Sequence, residues 1–288
     1  MKKESWFSSK KVSNLKKKKK TGDLIAQSKN NGVFEDQEIK KNLQSFYDKE
    51  AKKYAETRKK FWHEEKAILD VITPLFEDKD RVRILEFGCW SGRFATLLNQ
   101  KFSGKFDYVW IDLSDELLSY ASKDNPNLTF FQGDITKLIK NFEQESFDLI
   151  VWTSSFQHIP SNKERSYLMK SFYRILDYDW ILLMTNRSLS SWFIRKNWKA
   201  VLKARVLSLL KFDKSIARDL LVPRTDNYWE VYKRFYHFFS LKELDKLASF
   251  SWLSIKTNKY INDKGEFIDN EKISRSSFFM ATKTPIEW

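Results

Sequence analysis

The sequence predicts an α/β protein in which a mainly parallel sheet carries helices on both of its faces. Short apolar runs without a helical period indicate buried strands, and amphipathic segments expected to be helices separate them. This alternation favours parallel strands joined by right-handed crossovers. The expected strands are 82–87, 106–112, 128–131, 147–152 and 180–185, and the expected helices are 93–102, 114–123 and 162–176.

The chain begins with a strongly basic segment. Nine of the first twenty residues are lysines, and Lys16–Lys20 is an unbroken run. Blocks of like charge are normally disordered and solvated, so we expect a disordered tail over residues 1–34. A second interpretation is an arm that binds nucleic-acid phosphates. The net charge of +14 favours polyanions or anionic membrane surfaces as partners.

Composition also indicates a compartment. Cys89 is the only cysteine, so no intrachain disulfide can form and a reducing environment is expected. Residues 1–20 do not have the pattern of a secretory signal. No apolar run approaches the roughly 18 residues of a membrane-spanning helix. The sequence therefore predicts a cytoplasmic protein.

Residues 35–80 are expected to form two helices that cap the sheet. Apolar side chains recur at helical spacing, among them Leu43 and Phe46 in the first run and Ile68 in the second. The second helix is expected to end near Pro74.

A turn with two glycines follows the first predicted strand. Its sequence is Glu86-Phe87-Gly88-Cys89-Trp90-Ser91-Gly92, and a helix is expected to begin at Arg93. Glycine lets the backbone approach a ligand where a Cβ would collide. A strand, a glycine turn and a helix N-terminus form the nucleotide-binding corner of a doubly wound sheet.

Three later segments extend this pattern. The second strand ends on Asp112, which is placed to accept both hydroxyls of a ribose, although Asp112 could instead cap the next helix. The segments Phe130–Ile135 and Phe147–Trp152 follow in order. Together the four segments resemble the motifs of class I S-adenosylmethionine-dependent methyltransferases, and the resemblance extends from about residue 45 to residue 283.

This resemblance implies a Rossmann-like sheet of seven strands and S-adenosylmethionine as the cofactor. It assigns Glu86 to the methionine amino group, Asp112 to the ribose and Asp134 to the adenine amino group. The implied cofactor-binding residues are Glu86, Gly88, Gly92, Asp112, Leu113, Asp134, Ile135 and Trp152. In this family the loop after the fourth strand faces the transferred methyl group and often carries a histidine. His158 is therefore a candidate for the substrate side, or alternatively a loop residue that orders its own backbone.

Glycine is scarce in this chain. It has seven glycines and eleven tryptophans, whereas average usage of about 7% would give roughly twenty glycines. Trp90, Trp110 and Trp180 stand where the resemblance expects glycine. We therefore consider the hypothesis that these positions are UGA codons that the source organism reads as glycine, against the alternative of a divergent relative with genuine tryptophans. An indole at Trp90 would project into the space that the cofactor needs.

Residues 186–240 form an insertion that the minimal fold does not require. Apolar residues recur there at helical spacing, and residues 186–235 contain twelve Lys or Arg against four acids. Such a segment is expected to be a basic helical lid, with a membrane-surface element or an RNA-facing element as alternatives. Residues 241–288 should supply a helix capped by Ser240 and the last strands, with 81–185 as the cofactor-binding core.

The segment before that last helix contains Arg234, Tyr236 and His237. It resembles an element of tRNA wobble-uridine carboxymethyl methyltransferases, which implies that these side chains lie near the substrate. The candidate catalytic residues are His158, Tyr236 and His237, and a metal site is not expected, because the three histidines are scattered. Of the possible acceptors, tRNA is narrowly preferred. The alternatives are a small or membrane-associated acceptor, such as a quinone or lipid precursor, and a non-catalytic protein that has kept the fold.

Overall fold

The computed structural model describes residues 36–57, 63–88, 92–212, 214–226 and 229–284. The expected basic tail, Arg58 and Trp90 lie outside these residues. The helices are α1 (Asp36–Thr57), α2 (His63–Ile72), α3 (Leu75–Asp78), α4 (Arg93–Phe102), α5 (Asp115–Asp124), α6 (Ile135–Leu138), α7 (Asn162–Ile175), α8 (Ser191–Lys196), α9 (Trp198–Leu210) and α10 (Leu241–Ser249). The strands are β1 (Val82–Phe87), β2 (Phe106–Asp112), β3 (Thr129–Gln132), β4 (Phe147–Thr153), β5 (Leu176–Arg187), β6 (Asp219–Thr225), β7 (Val231–His237), β8 (Leu253–Ile261), β9 (Phe267–Ile268) and β10 (Ser276–Lys283).

The main sheet has the strand order β3-β2-β1-β4-β5-β10-β8-β9. The first five strands in this order are parallel, and β10, β8 and β9 continue the sheet in antiparallel pairs. The predicted α/β fold is thus confirmed. Because β1 pairs with both β2 and β4, the strand order reverses there, and ligands of open α/β sheets bind at the carboxyl ends of the strands at such a point.

The sheet has eight strands rather than the seven expected. The additional strand, β9, has only two residues and pairs with β8 through Tyr260 and Ile268. A segment this short leaves no alternating pattern in the sequence. Strand β5 also starts at Leu176, four residues before the expected start, with a shift of register against β4.

Two apolar layers hold the helices to the sheet. On one face, Leu168 and Phe172 of α7 pack with Leu85 of β1. On the other face, Ile68 of α2 and Leu98 of α4 belong to a second buried cluster. Successive side chains of a strand point to opposite faces, so a central strand that is apolar throughout supplies both layers.

The insertion between β5 and α10 is only partly helical. Helices α8 and α9 are followed by an antiparallel hairpin of β6 and β7, so the expectation of a helical lid over 186–240 is wrong for its second half. In the first half of β7, exposed Val231 and Lys233 alternate with half-buried Tyr232 and Arg234, which fits a strand with period two. Among the described residues, no helix is both long and apolar enough to cross a bilayer.

Candidate active site

The first cavity, which we call the cofactor cavity, lies at the carboxyl ends of β1, β2 and β4. Six of the eight residues expected to bind the cofactor line it, namely Gly88, Asp112, Leu113, Asp134, Ile135 and Trp152. Helix α1 forms a further wall through Lys40, Leu43 and Tyr47. The motifs are thus brought together at the reversal of the strand order.

Gly88 lines the cofactor cavity and packs closely against the loop that follows β4. Gly88 has φ +61°, and a Cβ there would lie 2.6 Å from Ser155 Oγ and 4.0 Å from Trp152 Nε1. The indole Nε1 of Trp152 is buried and has no hydrogen-bond partner among the described residues. A buried N–H without a partner carries a desolvation cost, which a bound acceptor atom would relieve. The turn and the indole N–H therefore fit a polar ligand that lies along the backbone at Gly88.

Asp112 keeps its carboxylate at the cofactor cavity. Its Oδ1 accepts the backbone N–H of Ser114 at 2.9 Å. Ser114, and not Asp112, caps α5, because the Ser114 hydroxyl accepts the N–H of Leu117 at 3.1 Å. Burial, aided by the charge of Asp48, raises the pKa of Asp112 to about 7. The carboxylate thus changes charge near neutral pH.

Asp134 is already engaged by helix α1. Lys40 Nζ donates to Asp134 at 3.0 Å and to Glu164 at 2.6 Å. Thr136 also donates to Asp134, from its backbone N–H at 2.9 Å and its hydroxyl at 2.7 Å. Burial alone would raise the pKa of Asp134, but the hydrogen bonds from Thr136 and Lys40 hold that pKa below its usual value. An adenine amino group would therefore share this carboxylate with Lys40.

Two expected cofactor residues do not line the cavity. Glu86 is fully buried and accepts a hydrogen bond from the Tyr108 hydroxyl. Gly92 begins α4 with φ +89°, and a Cβ there would meet the ring of Trp110 at 2.9 Å. The second glycine thus serves close packing within the described part of the turn.

A second cavity, which we call the acceptor cavity, adjoins the first. The two cavities share Tyr47 and His158 in their walls. Its other lining residues come from α1, α2, α8 and both sheets, and they are Tyr54, Glu64, Ser154, Gln157, Arg187, Trp192, Lys196, Arg224, Arg234, Tyr236, Arg275 and Ser276. Most of these side chains were not singled out by the sequence.

His158 lies at the junction of the two cavities. Its Nδ1 lies 2.7 Å from the carbonyl oxygen of Phe235, which can only accept, so Nδ1 carries the proton. Its Nε2 is then free to accept from the Tyr47 hydroxyl at 3.2 Å. Burial lowers the pKa of His158 to about 3. The ring centroid of Tyr236 is 4.6 Å away, so two of the three candidate catalytic residues are neighbours.

His237 is not brought to either cavity. It follows Tyr236 on β7, so its side chain points to the opposite face of the hairpin. Its Nε2 lies 2.7 Å from Glu243 and its Nδ1 is hydrogen-bonded to Asp219. His237, which was expected near the substrate, therefore belongs to a hydrogen-bonded cluster that joins the hairpin to α10. At the start of α10, the Ser240 hydroxyl accepts the backbone N–H of Glu243 at 3.2 Å. The Glu243 side chain contacts His237 and not the backbone N–H of Ser240.

Comparison with known proteins agrees with this architecture. Residues 84–179 match the family model described as a methyltransferase domain. A malonyl-[acyl-carrier protein] O-methyltransferase of Bacillus cereus is 26% identical over 135 residues, which are 46% of this chain and 46% of that protein. The chain thus matches less than half of this curated relative's length.

Solved structures share the fold over a longer stretch. A methyltransferase from Methanosarcina mazei aligns with 73% of this chain and 97% of its own, at a TM-score of 0.55 and 20% identity. One from Clostridium acetobutylicum aligns with 83% of this chain and all of its own, at a TM-score of 0.55 and 14% identity. A DhpI–SAH complex aligns over 86% and 98%, at a TM-score of 0.53 and 14% identity. Residues 84–179 are thus similar to a methyltransferase domain, and the chain shares its fold with solved S-adenosylmethionine-dependent methyltransferases.

Proposed function

We propose that this protein transfers a methyl group from S-adenosylmethionine to a small acceptor that binds in the acceptor cavity. The observation that carries this proposal is the junction of the two cavities at Tyr47 and His158. One cavity holds the residues that suit the cofactor, and the other opens beside it with polar and cationic walls. Donor and acceptor would meet at that junction, where alignment lowers the barrier.

The residues of the cofactor cavity divide the binding among them. Asp112 would accept the ribose hydroxyls, and Asp134 would accept the adenine amino group. Gly88 would let the methionine end pass along the backbone, with the Trp152 N–H as a donor to its polar groups. When bound, the cofactor supplies a methyl group on a sulfonium, which is already activated for transfer.

The side chains at the junction position the acceptor rather than activate it. Neutral His158 fixes the Tyr47 hydroxyl through Nε2, and α1 lines both cavities at this junction. A group whose pKa is about 3 is a weak base near neutral pH. This arrangement favours an acceptor that is nucleophilic without prior loss of a proton, such as a carboxylate.

A small acceptor replaces tRNA as the preferred candidate. The curated relative is named for O-methylation of malonyl-[acyl-carrier protein], which is not a nucleic acid. Of the elements that favoured tRNA, the tail lies outside the described residues and His237 faces away from the cavity. A membrane-associated acceptor is the second candidate, favoured by exposed apolar side chains on α8 and α9 beside the cavity, including Trp192 and Trp198.

Calorimetric titration with S-adenosylmethionine tests the proposal. The chain should bind, and Asp112→Ala should weaken binding about tenfold or more, because hydrogen bonds to a charged group contribute about 1.5–3 kcal/mol. Asp124→Ala removes an exposed carboxylate at the end of α5 and is the matched control, with no expected change. Absence of binding by the chain, with Trp90 either present or replaced by glycine, would leave the non-catalytic alternative.

A further inference from the structure

The walls of the acceptor cavity carry a strong excess of positive charge. Five cationic side chains line it, namely Arg187, Lys196, Arg224, Arg234 and Arg275. The carboxylate among the lining residues, Glu64, is buried and accepts a hydrogen bond from the Ser276 hydroxyl. Most cavities that bind neutral ligands are lined by apolar side chains with few polar groups. This cavity is therefore built for a charged ligand.

Most of these cations lack a counterion within the part of the chain that the structure describes. Arg275 pairs with the exposed Asp263 at 2.8 Å. Arg187, Lys196, Arg224 and Arg234 have no carboxylate oxygen within 4.0 Å among the described residues. Several like charges around one cavity repel one another. A bound anion would attract each of them and so offset that repulsion.

Arg234 is the central member of this group. Its guanidinium lies 4.8 Å from the ring centroid of Phe46 and 5.3 Å from that of Tyr236. Its Nε is buried and has no hydrogen-bond partner among the described residues. The guanidinium does hydrogen-bond the Tyr47 hydroxyl, which carries no charge. An arginine remains charged at any physiological pH, so its desolvated charge is costly without a counterion. The flanking rings hold the planar group in place, which suits bidentate binding of a carboxylate or phosphate.

We propose that the acceptor carries a carboxylate or phosphate group that Arg234 binds, with Arg187 and Arg224 completing the anion site. The proposal rests on the proposed methyltransferase function and specifies its substrate class. It is independent of which acceptor atom receives the methyl group. The site lies among α1, β7 and the end of β5, so its residues come together only in the folded chain.

Titration of small anions separates this proposal from its alternatives. In the presence of saturating S-adenosylhomocysteine, malonate or inorganic phosphate should bind, and dimethyl malonate, a neutral analogue, should not. Arg234→Met should weaken the binding of the anion about tenfold or more. Arg224→Met changes an exposed residue and should weaken anion binding several-fold. It therefore tests the site even if the Arg234 variant fails to fold. Preference for malonate or for phosphate identifies the anionic group.

Arg195→Met is the matched control, since Arg195 is exposed and lines neither cavity. Equal losses of anion affinity in the Arg195 and Arg224 variants would show that net charge alone causes the effect, and this would overturn the proposal. Binding of S-adenosylhomocysteine without binding of either anion would also overturn it. Failure to bind S-adenosylhomocysteine, with malonate or phosphate still bound, would remove the proposed function and leave the anion site standing.

Two exposed tryptophans have a left-handed backbone conformation. Trp229 has φ +65° and is 88% exposed, and Trp252 has φ +58° and is 61% exposed. Trp229 lies in the turn between β6 and β7, and Trp252 follows the end of α10. Positions of this kind commonly hold glycine, because a left-handed backbone costs an L-residue about 1–2 kcal/mol.

Two other tryptophans occupy glycine positions of the family pattern. Trp110 is fully buried, and its Nε1 has no hydrogen-bond partner among the described residues. Trp180 follows Asp179, whose φ of +63° is also left-handed. The backbone thus adds Trp229 and Trp252 to the set that the sequence pattern had indicated on other grounds.

We infer that Trp90, Trp110, Trp180, Trp229 and Trp252 are encoded by UGA and are glycine in the native protein. The nucleotide sequence of the gene and the peptide masses of the protein from its own organism test this. UGA codons together with glycine-containing peptides are the expected result. UGG codons at Trp229 and Trp252, or peptides that contain tryptophan there, would overturn the inference.

Discussion

At the scale of single residues, the proposed contact of Asp112 with the ribose would couple cofactor binding to pH. Its pKa of about 7 means that the carboxylate is half protonated near neutral pH, and the charged form is the better acceptor for ribose hydroxyls. We expect the affinity for S-adenosylmethionine to rise between pH 6 and 8 and to reach a plateau above. Titrations at several pH values should show this rise, and Asp112→Asn should abolish it. A rise that persists in the Asn variant would assign the effect to another group.

The same group affects the stability of the protein without ligand. The folded state holds a proton on Asp112 up to about pH 7, whereas the unfolded chain releases it near the ordinary value of 3.8. Protonation therefore favours the folded state at low pH, and this contribution is lost as pH rises through about 7. Bound cofactor should offset the loss.

The left-handed tryptophans lead to a stability prediction. Trp229→Gly and Trp252→Gly should each raise the free energy of unfolding by about 0.5–1 kcal/mol, since relief of backbone strain exceeds the entropy that glycine adds to the unfolded chain. Trp198→Gly is the control, because Trp198 is exposed but begins helix α9. That variant should lose about 1 kcal/mol. Urea denaturation of the three variants measures the differences, and stabilisation by Trp198→Gly would contradict the backbone argument.

Single residues also show what a sequence can and cannot indicate. Gly88 and Asp112 could be predicted because each belongs to a local strand-and-turn motif whose geometry is set by neighbouring residues. Arg187 and Arg224 could not, because they are dozens of residues apart and meet only when β5 and β6 assemble. Nothing in their local sequence distinguishes them from surface arginines. The anion site is thus a property of the tertiary structure.

At the scale of elements, strong local signals predicted the core well. Helix α4 begins and ends where expected, because the glycine turn and the spacing of its apolar residues define both ends. The β6–β7 hairpin was missed, since its basic and apolar residues also fit a helical period, and strand pairing decided the outcome. Periodicity alone could not choose between these two structures in a segment without glycine or proline at its turn.

The cluster of His237, Asp219 and Glu243 joins the hairpin to helix α10. Burial would raise the pKa of Glu243, but its hydrogen bond with His237 holds that pKa below its usual value. His237→Leu would leave two carboxylates without their shared partner and should lower the free energy of unfolding by about 1–3 kcal/mol. Binding of S-adenosylmethionine should be unchanged. Urea denaturation and calorimetry test both expectations, and a large loss of cofactor affinity with normal stability would return His237 to the active site.

At the scale of the whole molecule, helix α9 and the turn after it combine positive charge with exposed apolar surface. Helix α9 and the turn after it expose several large apolar side chains, namely Trp198, Leu202, Val206, Leu209, Leu210 and Phe212. Phe212 is 97% exposed. Lysines and arginines of the same segment accompany them, namely Lys199, Lys203, Arg205 and Lys211. Helix α9 carries apolar side chains on its buried face as well as on its exposed face, so it is not sharply amphipathic. The feature that suits an anionic membrane surface is the exposed apolar row together with its neighbouring cations.

This surface predicts that the protein binds vesicles that contain phosphatidylserine and does not bind pure phosphatidylcholine vesicles. Leu209→Glu with Leu210→Glu should abolish binding, because each places a negative charge against the apolar and anionic surface. Ile273→Glu is the matched control, as Ile273 is also exposed but lies outside α9. Binding should weaken as salt is added, because the attraction of the lysines and arginines is screened. Vesicle sedimentation measures binding in each of these cases. Equal binding by the double variant and the parent chain would show that α9 is not the membrane-facing element.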